Sequence, residues 1–419
     1  MRPASTIYPL SHLLRKCQLP RKGGAFIPYP KGVVLLTTIY LVRHAEAEGN
    51  LYRRIHGRYN ALITENGYRQ IKALEARFAD IHIDAVYSSD LYRTMTTAGA
   101  VYRPKGLPLH TDPRLQEIFM GDWEDHPWGE VRHFTPDELD RFNATDPTWR
   151  SPNGEDLAEV GGRMEEAVRD IASRHDGQTV AIFSHGTAIR QFTANARHLP
   201  PEEWKTLGHS DNTAVTKLTY DGGEFSIEYE GDASHLDESI STLARQTWWR
   251  KGGKQTPDVN LWYRPIDWAT EKDLYLAARR DAWTTTHING PEFLAEGFLS
   301  DAEKHLAQSP WGVTIAMQGS EYAGLIQLDH ERYREDDSGY IPFYYMAPGP
   351  RGTHLAVQML GHAVSHFRAL GRDKLRLRCA PYNDRAQHFY KKYGFSKIGE
   401  EVGSRVPLDI MEKYIGYNK

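Results

Sequence analysis

Two apolar runs in this 419-residue chain each stop at a histidine, and that pairing constrains the fold more than any other feature. Ile39-Tyr40-Leu41-Val42 ends at Arg43-His44, and Thr179-Val180-Ala181-Ile182-Phe183 ends at Ser184-His185-Gly186. Short continuous apolar runs read as strands buried on both faces, the kind found in parallel sheets sandwiched between helices. Open sheets of that kind bind ligands at the carboxyl ends of their strands. A guanidinium there offers planar donors to phosphate oxygens, and an imidazole can serve as nucleophile or acid–base. One Arg-His at a strand end is more often just solvated. A second histidine at a second strand end is not expected by chance.

The intervening sequence fits the same scheme. Thr64 is a candidate N-cap for a helix with Ile71, Leu74 and Phe78 on one face. Ala85-Val86-Tyr87-Ser88 reads as a further buried strand, followed by Ser89-Asp90 and a helix over 91–102 with Arg93 in its first turn. A basic residue there opposes the helix macrodipole, which points to an anion bound nearby. An amphipathic helix is expected over 154–174, and a hairpin through Asp221-Gly222-Gly223 joins strands at 214–220 and 225–229. Alternating strands and helices predict an α/β, doubly wound, mostly parallel sheet over 37–235.

These motifs together resemble the histidine phosphatase superfamily, which holds phosphoglycerate mutases and broad-specificity phosphatases. The residues carrying the likeness are Arg43-His44 with Asn50, SSDLYRTMTTA (88–98) with Arg93, LQEIFMGDWE (115–124) with Glu117, and SHG (184–186) with His185. The resemblance implies a metal-independent reaction in which His44 is the nucleophile and forms a phosphohistidine. Arg43, Arg93 and His185 would hold the phosphoryl oxygens and Glu117 would protonate the leaving alkoxide, with Asn50, Gly57 and Gly186 on the substrate side. The compact 115–124 region resembles the phosphatase branch, so water is the expected acceptor; a mutase-type phosphotransferase is the alternative. Ala45 stands where the family has Gly, and Asn60-Ala61-Leu62-Ile63-Thr64 lacks the family's Pro, which predicts a looser turn beside the pocket. Arg53, Arg54, His56 and Arg58 nearby read equally well as an anion-reading set or a solvated basic loop.

Periodicity fades from about 236 to 258, where Trp248-Trp249-Arg250 suggests an end-helix and KGGKQTP (251–257) a linker. Beyond it, strands at 311–317, 321–329 and 339–346 precede a long helix at 353–370, predicting a separate α+β domain over 259–419. A loop such as Pro350-Arg351-Gly352-Thr353 before a helix can cradle phosphates with its N–H groups. That loop and NDRAQHFYKKYGF (383–395) resemble the GNAT family of acetyl-CoA-dependent N-acetyltransferases. The resemblance implies acetyl-CoA held by Met346, Arg351, Gly352, Thr353, Leu355, Ala356 and Asn383, with Tyr390 protonating the departing thiolate. His354 replaces the family's inner Gly, which would let backbone approach the pyrophosphate. Glu321, Asp329 and His330 are the candidates for the general base.

A net charge of −4 gives no reason to expect nucleic acid or membrane as a partner, leaving small phosphomonoesters and amines. Two cysteines allow neither a disulfide framework nor a cysteine zinc site, as in a cytoplasmic protein. Residues 1–36 form a basic, acid-free leader, expected to be untranslated upstream sequence or disordered. A regulatory protein with one catalytically silent domain is the competing functional class.

Overall fold

The computed structural model describes residues 36–245, 259–286, 292–402 and 407–417. The expected leader up to residue 35, the Trp248-Trp249-Arg250 end-helix and the 251–257 linker lie outside these residues.

The first sheet contains β1 (Thr37–Arg43), β2 (Ala85–Ser88), β3 (Leu109–Thr111), β4 (Thr179–Ser184), β5 (Val215–Tyr220) and β6 (Phe225–Asp232), in the order β3-β2-β4-β1-β5-β6. The pairs β1–β4, β2–β4 and β2–β3 are parallel, and the β5–β6 hairpin adds to β1 antiparallel. A five-residue helix, α1 (Glu48–Tyr52), follows β1. The main helices are α2 (Glu65–Phe78), α3 (Tyr92–Lys105), α4 (Leu157–Arg174) and α5 (Gly186–Ala196).

Alternation along β1 decides which helices cover which face. Ile39 and Leu41 share a core with Val160, Met164 and Ile171 of α4 and Phe192 of α5. Tyr40 and Val42 share the opposite core with Leu74 and Phe78 of α2 and Val101 of α3. Both faces are therefore buried, as the unbroken apolar runs require. The helix starts follow local rules. Thr64 accepts a bond from Gly67 N, and Asp156 and Glu159 form a capping box that starts α4 at Leu157 instead of residue 154.

The second sheet runs β12-β13-β11-β10-β9-β8-β7, from β7 (Trp262–Pro265), β8 (Val313–Gln318), β9 (Glu321–Asp329), β10 (Ser338–Met346), β11 (Lys374–Cys379), β12 (Ser396–Val402) and β13 (Pro407–Tyr414). Its β10–β11 pair is parallel and its other pairs are antiparallel. Helices α6 (Lys272–Thr286) and α7 (Ala295–Gln308) cover one face, around Tyr275 and Ala302. Helices α8 (Ala356–Ala369) and α9 (Asp384–Lys392) cover the other, around Leu360, Phe367 and Tyr390.

From Leu36 onward the chain folds as one compact unit that holds both sheets. Helix α1 lies so close to α8 that a Cβ on Gly361 would stand 2.4 Å from Cβ of Tyr52, and Tyr52 itself belongs to the second sheet's core. Arg368 of α8 forms a two-pronged ion pair with Glu48 of α1 (3.0 and 3.1 Å), both side chains being buried. Ser365 donates to Asp125 (3.0 Å), and His133 stacks on Trp262 with ring centroids 4.0 Å apart.

One expectation is overturned here. The proline-free turn at 60–64 is not loose. Asn60 accepts from Tyr92 N and, through its carbonyl, from the Tyr417 hydroxyl (2.7 Å); Leu62 N donates to Glu48, and Ile63 bridges to Ala47. Hydrogen bonds reaching from the far end of the chain replace the stiffness a proline ring would give.

Candidate functional site

The β1–β4 register sets Arg43 beside Ser184, so His44 and His185 leave adjacent strands side by side, with ring centroids 5.3 Å apart. His44 is buried and fixed on several sides. Its N–H donates to Ser184 O (3.0 Å), its carbonyl accepts from the Asn212 side chain (2.9 Å), and its ring Nδ1 donates to Ala45 O (2.7 Å). With Nδ1 carrying the proton, the lone pair lies on Nε2. Burial first, then the charges of Arg93 and Arg43, hold the His44 pKa well below the usual histidine value, so the ring is neutral at pH 7. Ala45 fits in place of the family's Gly because it is fully enclosed and its N–H donates to Thr97.

His185 is fully buried and its Nε2 shares a 3.0 Å hydrogen bond with the Ser89 hydroxyl. Burial and then Arg93 push its pKa well down too. Its Nδ1 and the Nε of Arg43 are buried without a partner among the described residues. Buried donors left unpaired are costly, and an oxyanion between them would satisfy both. Glu117 is gripped at the start of α5, where Thr187 N and Ala188 N donate to its carboxylate and Ile118 N adds a third bond (2.9–3.0 Å). Arg93 is almost fully buried, and its two terminal nitrogens donate to the carbonyls of His56, Gly57 and Tyr59.

The second candidate cleft is built into the other sheet. The β10–β11 ladder runs from Ser338↔Lys374 to Ile341↔Leu377 and stops there, while β10 continues to Met346 and β11 to Cys379. Pro342, without an N–H, sits where pairing ends, so the strands part like a wedge. Tyr390 of α9 is buried beside this opening against Tyr344 and Phe395. Burial raises its pKa, so the hydroxyl keeps its proton. At the head of α8, His354 adopts φ +65°, a left-handed conformation that glycine adopts without strain. The glycine shape of the loop is thus kept without the glycine.

Residues 39–233 match the histidine phosphatase superfamily (branch 1), and residues 273–395 match the acetyltransferase (GNAT) family. The first segment is 33% identical over 208 residues to Probable phosphoglycerate mutase GpmB of Yersinia pestis (strain Pestoides F), covering 48% of this chain and 94% of that protein. The same figures hold for Probable phosphoglycerate mutase GpmB of Yersinia pseudotuberculosis serotype O:1b (strain IP 31758). The chain belongs to the histidine phosphatase superfamily and carries a GNAT acetyltransferase domain behind it. Among solved structures, Bacillus stearothermophilus YhfR is 34% identical, with 48% of this chain and all of that one covered and a TM-score of 0.46.

Within the phosphatase domain, the fold gathers Arg43, His44, Arg93, Glu117 and His185 at the strand ends. The other expected residues do different work. Asn50 accepts from Ala47 N and lines a cavity beside the GNAT loop, and neither His44 nor His185 lines it. Gly57 and Gly186 are close-approach positions: a Cβ on Gly57 would strike Glu124 and Ile118 O at 2.3 Å, and one on Gly186 would press on Arg43 at 3.3 Å. Most of the supposed basic loop is committed to the protein, with Arg54 and His56 on Asp125 and Arg58 on Glu155; Arg53 donates its Nε to Asn260 and lines the same cavity as Asn50.

In the GNAT domain, the Arg351 side chain turns away from the loop to Asp281 and the carbonyl of Met346. Asn383 caps α9 through Ala386 N, Leu355 is buried core, Thr353 bonds Pro350 O, and Ala356 O accepts from Tyr344. Any hold these residues have on a cofactor is therefore through backbone, and Gly352 (φ +84°) supplies the turn. Of the base candidates, Asp329 is engaged by His305 and the N–H groups of Glu331 and Arg332, His330 lies 2.8 Å from His366, and Glu321 is exposed. Sequence reading missed Asn212 and Thr97, which position His44 and its neighbour; neither belongs to an apolar run or a strand-end motif. Among the described residues no group of three or more metal-ligating side chains occurs and no helix is long and apolar enough to cross a membrane.

Proposed function

We propose that the first domain hydrolyses small phosphomonoesters through a phosphohistidine at His44. The observation that carries this is the His44 ring: neutral, its Nδ1–H tied to Ala45 O, and its Nε2 left for attack among Arg43, Arg93 and His185. Nε2 attacks phosphorus as the P–O ester bond breaks, and Glu117 gives the leaving oxygen its proton. Water then attacks phosphorus, the P–N bond breaks, and Glu117 takes the water's proton. Positive groups around the equatorial oxygens stabilise the transferring phosphoryl group. Similarity to GpmB favours a second reading, transfer of the phosphoryl group to a sugar-acid hydroxyl in place of water. Rapid quench with a ³²P-labelled phosphomonoester tests both. Acid-labile label on His44, lost in His44→Ala, supports the mechanism, and the product, phosphate or isomer, separates hydrolase from mutase.

The second domain we read as an acetyl-CoA-dependent N-acetyltransferase. Gly352–Leu355 and the N-terminus of α8 would hold the pyrophosphate, and Tyr390 would protonate the thiolate; acetyl-CoA supplies the activated acyl group. The wedge between β10 and β11 and the left-handed His354 support the fit. Calorimetric titration with acetyl-CoA is the direct test, and no heat at millimolar ligand would remove this reading.

A further inference from the structure

A cavity of about 500 Å³ lies where the two domains meet. One wall is Glu46 to Arg53, the stretch just after the nucleophile; a second is Thr242 and Arg245; a third is Thr353 to Leu355 of the GNAT loop with Lys392 and Tyr393. Its size suits a nucleotide, since ligand pockets span roughly 300–1,000 Å³. Its chemistry does as well. Arg53, Arg245 and Lys392 come from three separate segments, while Leu51, Leu355 and Val357 give an apolar side. The cavity's carboxylate, Glu46, is buried and already engaged by Thr64, Asn66 and Thr242, with Arg245 3.7 Å away. Three basic side chains against one carboxylate leave the lining net cationic.

We infer that this cavity receives the nucleotide end of acetyl-CoA, and that the phosphatase domain's Arg53 and Arg245, on the helical turn Thr242–Arg245, help Lys392 hold its phosphates. This rests on the acetyl-CoA reading above. The loop that would grip the pyrophosphate forms one rim, so a bound cofactor has a charged, partly apolar chamber beside it. The phosphatase fold thereby completes the acetyltransferase's cofactor site. Arg245 is exposed and reaches the cavity from a single turn of helix, so its removal leaves both cores intact.

The test is isothermal titration of the full chain with CoA and with 3′-dephospho-CoA, for the wild type, Arg53→Gln and Arg245→Gln. Loss of one charge-assisted contact to phosphate predicts CoA binding weakened about tenfold or more in each variant. A smaller loss for 3′-dephospho-CoA would assign that arginine to the 3′-phosphate, and an equal loss to the diphosphate. Hydrogen exchange of the wild type is the companion measurement, because Arg53 also bonds Asn260 and its loss disturbs the fold as well as the cavity. CoA is expected to slow amide exchange over 46–53 and 242–245. Wild-type-like affinity within twofold in Arg245→Gln, or no protection of those segments by saturating CoA, overturns the inference while leaving the acetyl-CoA reading standing. A wild type that binds no CoA overturns that reading and the inference with it.

Discussion

Breaking the Glu48–Arg368 pair should show that the two domains are energetically one. Both side chains are buried, 3.0 and 3.1 Å apart, and Arg368 also donates to Ile415 O (2.8 Å) and lies over the Tyr417 ring. Glu48 in turn accepts from Leu62 N in the turn next to the phosphatase cleft. Removing one partner leaves a buried charge uncompensated, which costs about 3–5 kcal/mol, so Arg368→Met should lower stability by that much. Replacing both, as Glu48→Gln with Arg368→Met, leaves no orphaned charge. The double variant should therefore be more stable than the sum of the singles predicts by at least about 2 kcal/mol. The assay is urea unfolding followed by tryptophan fluorescence and by phosphatase activity, which should be lost together. Additive single effects, within about 0.5 kcal/mol, would refute the reasoning. So would a phosphatase transition that ignores Arg368→Met.

Four further outcomes are expected. Burial depresses the pKa of His44, His185 and His362, so as pH falls below 6.5 the unfolded chain takes up protons first and stability is lost down to the folded-state values. Each contributes about 1 kcal/mol between pH 6.5 and 5.5, and His362→Gln, outside both candidate clefts, should flatten the measured stability–pH curve by that amount. For the same reason kcat/KM of the phosphatase should keep its acid limb below pH 6.5, and a pH–rate profile with the limb at or above that value contradicts a neutral His44. His354→Gly should relieve the left-handed backbone at φ +65°, raising stability by about 1 kcal/mol in thermal unfolding without weakening CoA binding. Tyr390→Phe keeps the ring packing and removes the proton donor, so acetyl transfer should fall at least tenfold with CoA affinity unchanged by calorimetry.

The proximity of Arg43, His44 and His185 was readable because they sit where apolar runs stop. Strand ends are written locally, in the contrast between Val42 and Arg43 or Phe183 and Ser184, and parallel pairing then brings such ends together. The supporting residues were not readable. Asn212 holds His44 across a sequence separation of 168, and Tyr417 braces Asn60 across 357, with no periodicity linking either pair. The basic loop shows the same limit from the other side: Arg54 and His56 look like ligand readers until Asp125 is seen beside them.

By itself the sequence determined two folds in tandem, two histidines at neighbouring strand ends, and a GNAT loop with one residue out of pattern, because hydrophobic period and turn chemistry are local properties. Only the tertiary structure decided that His354 keeps a glycine's backbone, that Arg351 faces Asp281, and that α1 and α8 are packed through Gly361 and a buried ion pair. Those outcomes depend on which surfaces meet after folding. Pairing energies between segments hundreds of residues apart leave no mark on either segment alone.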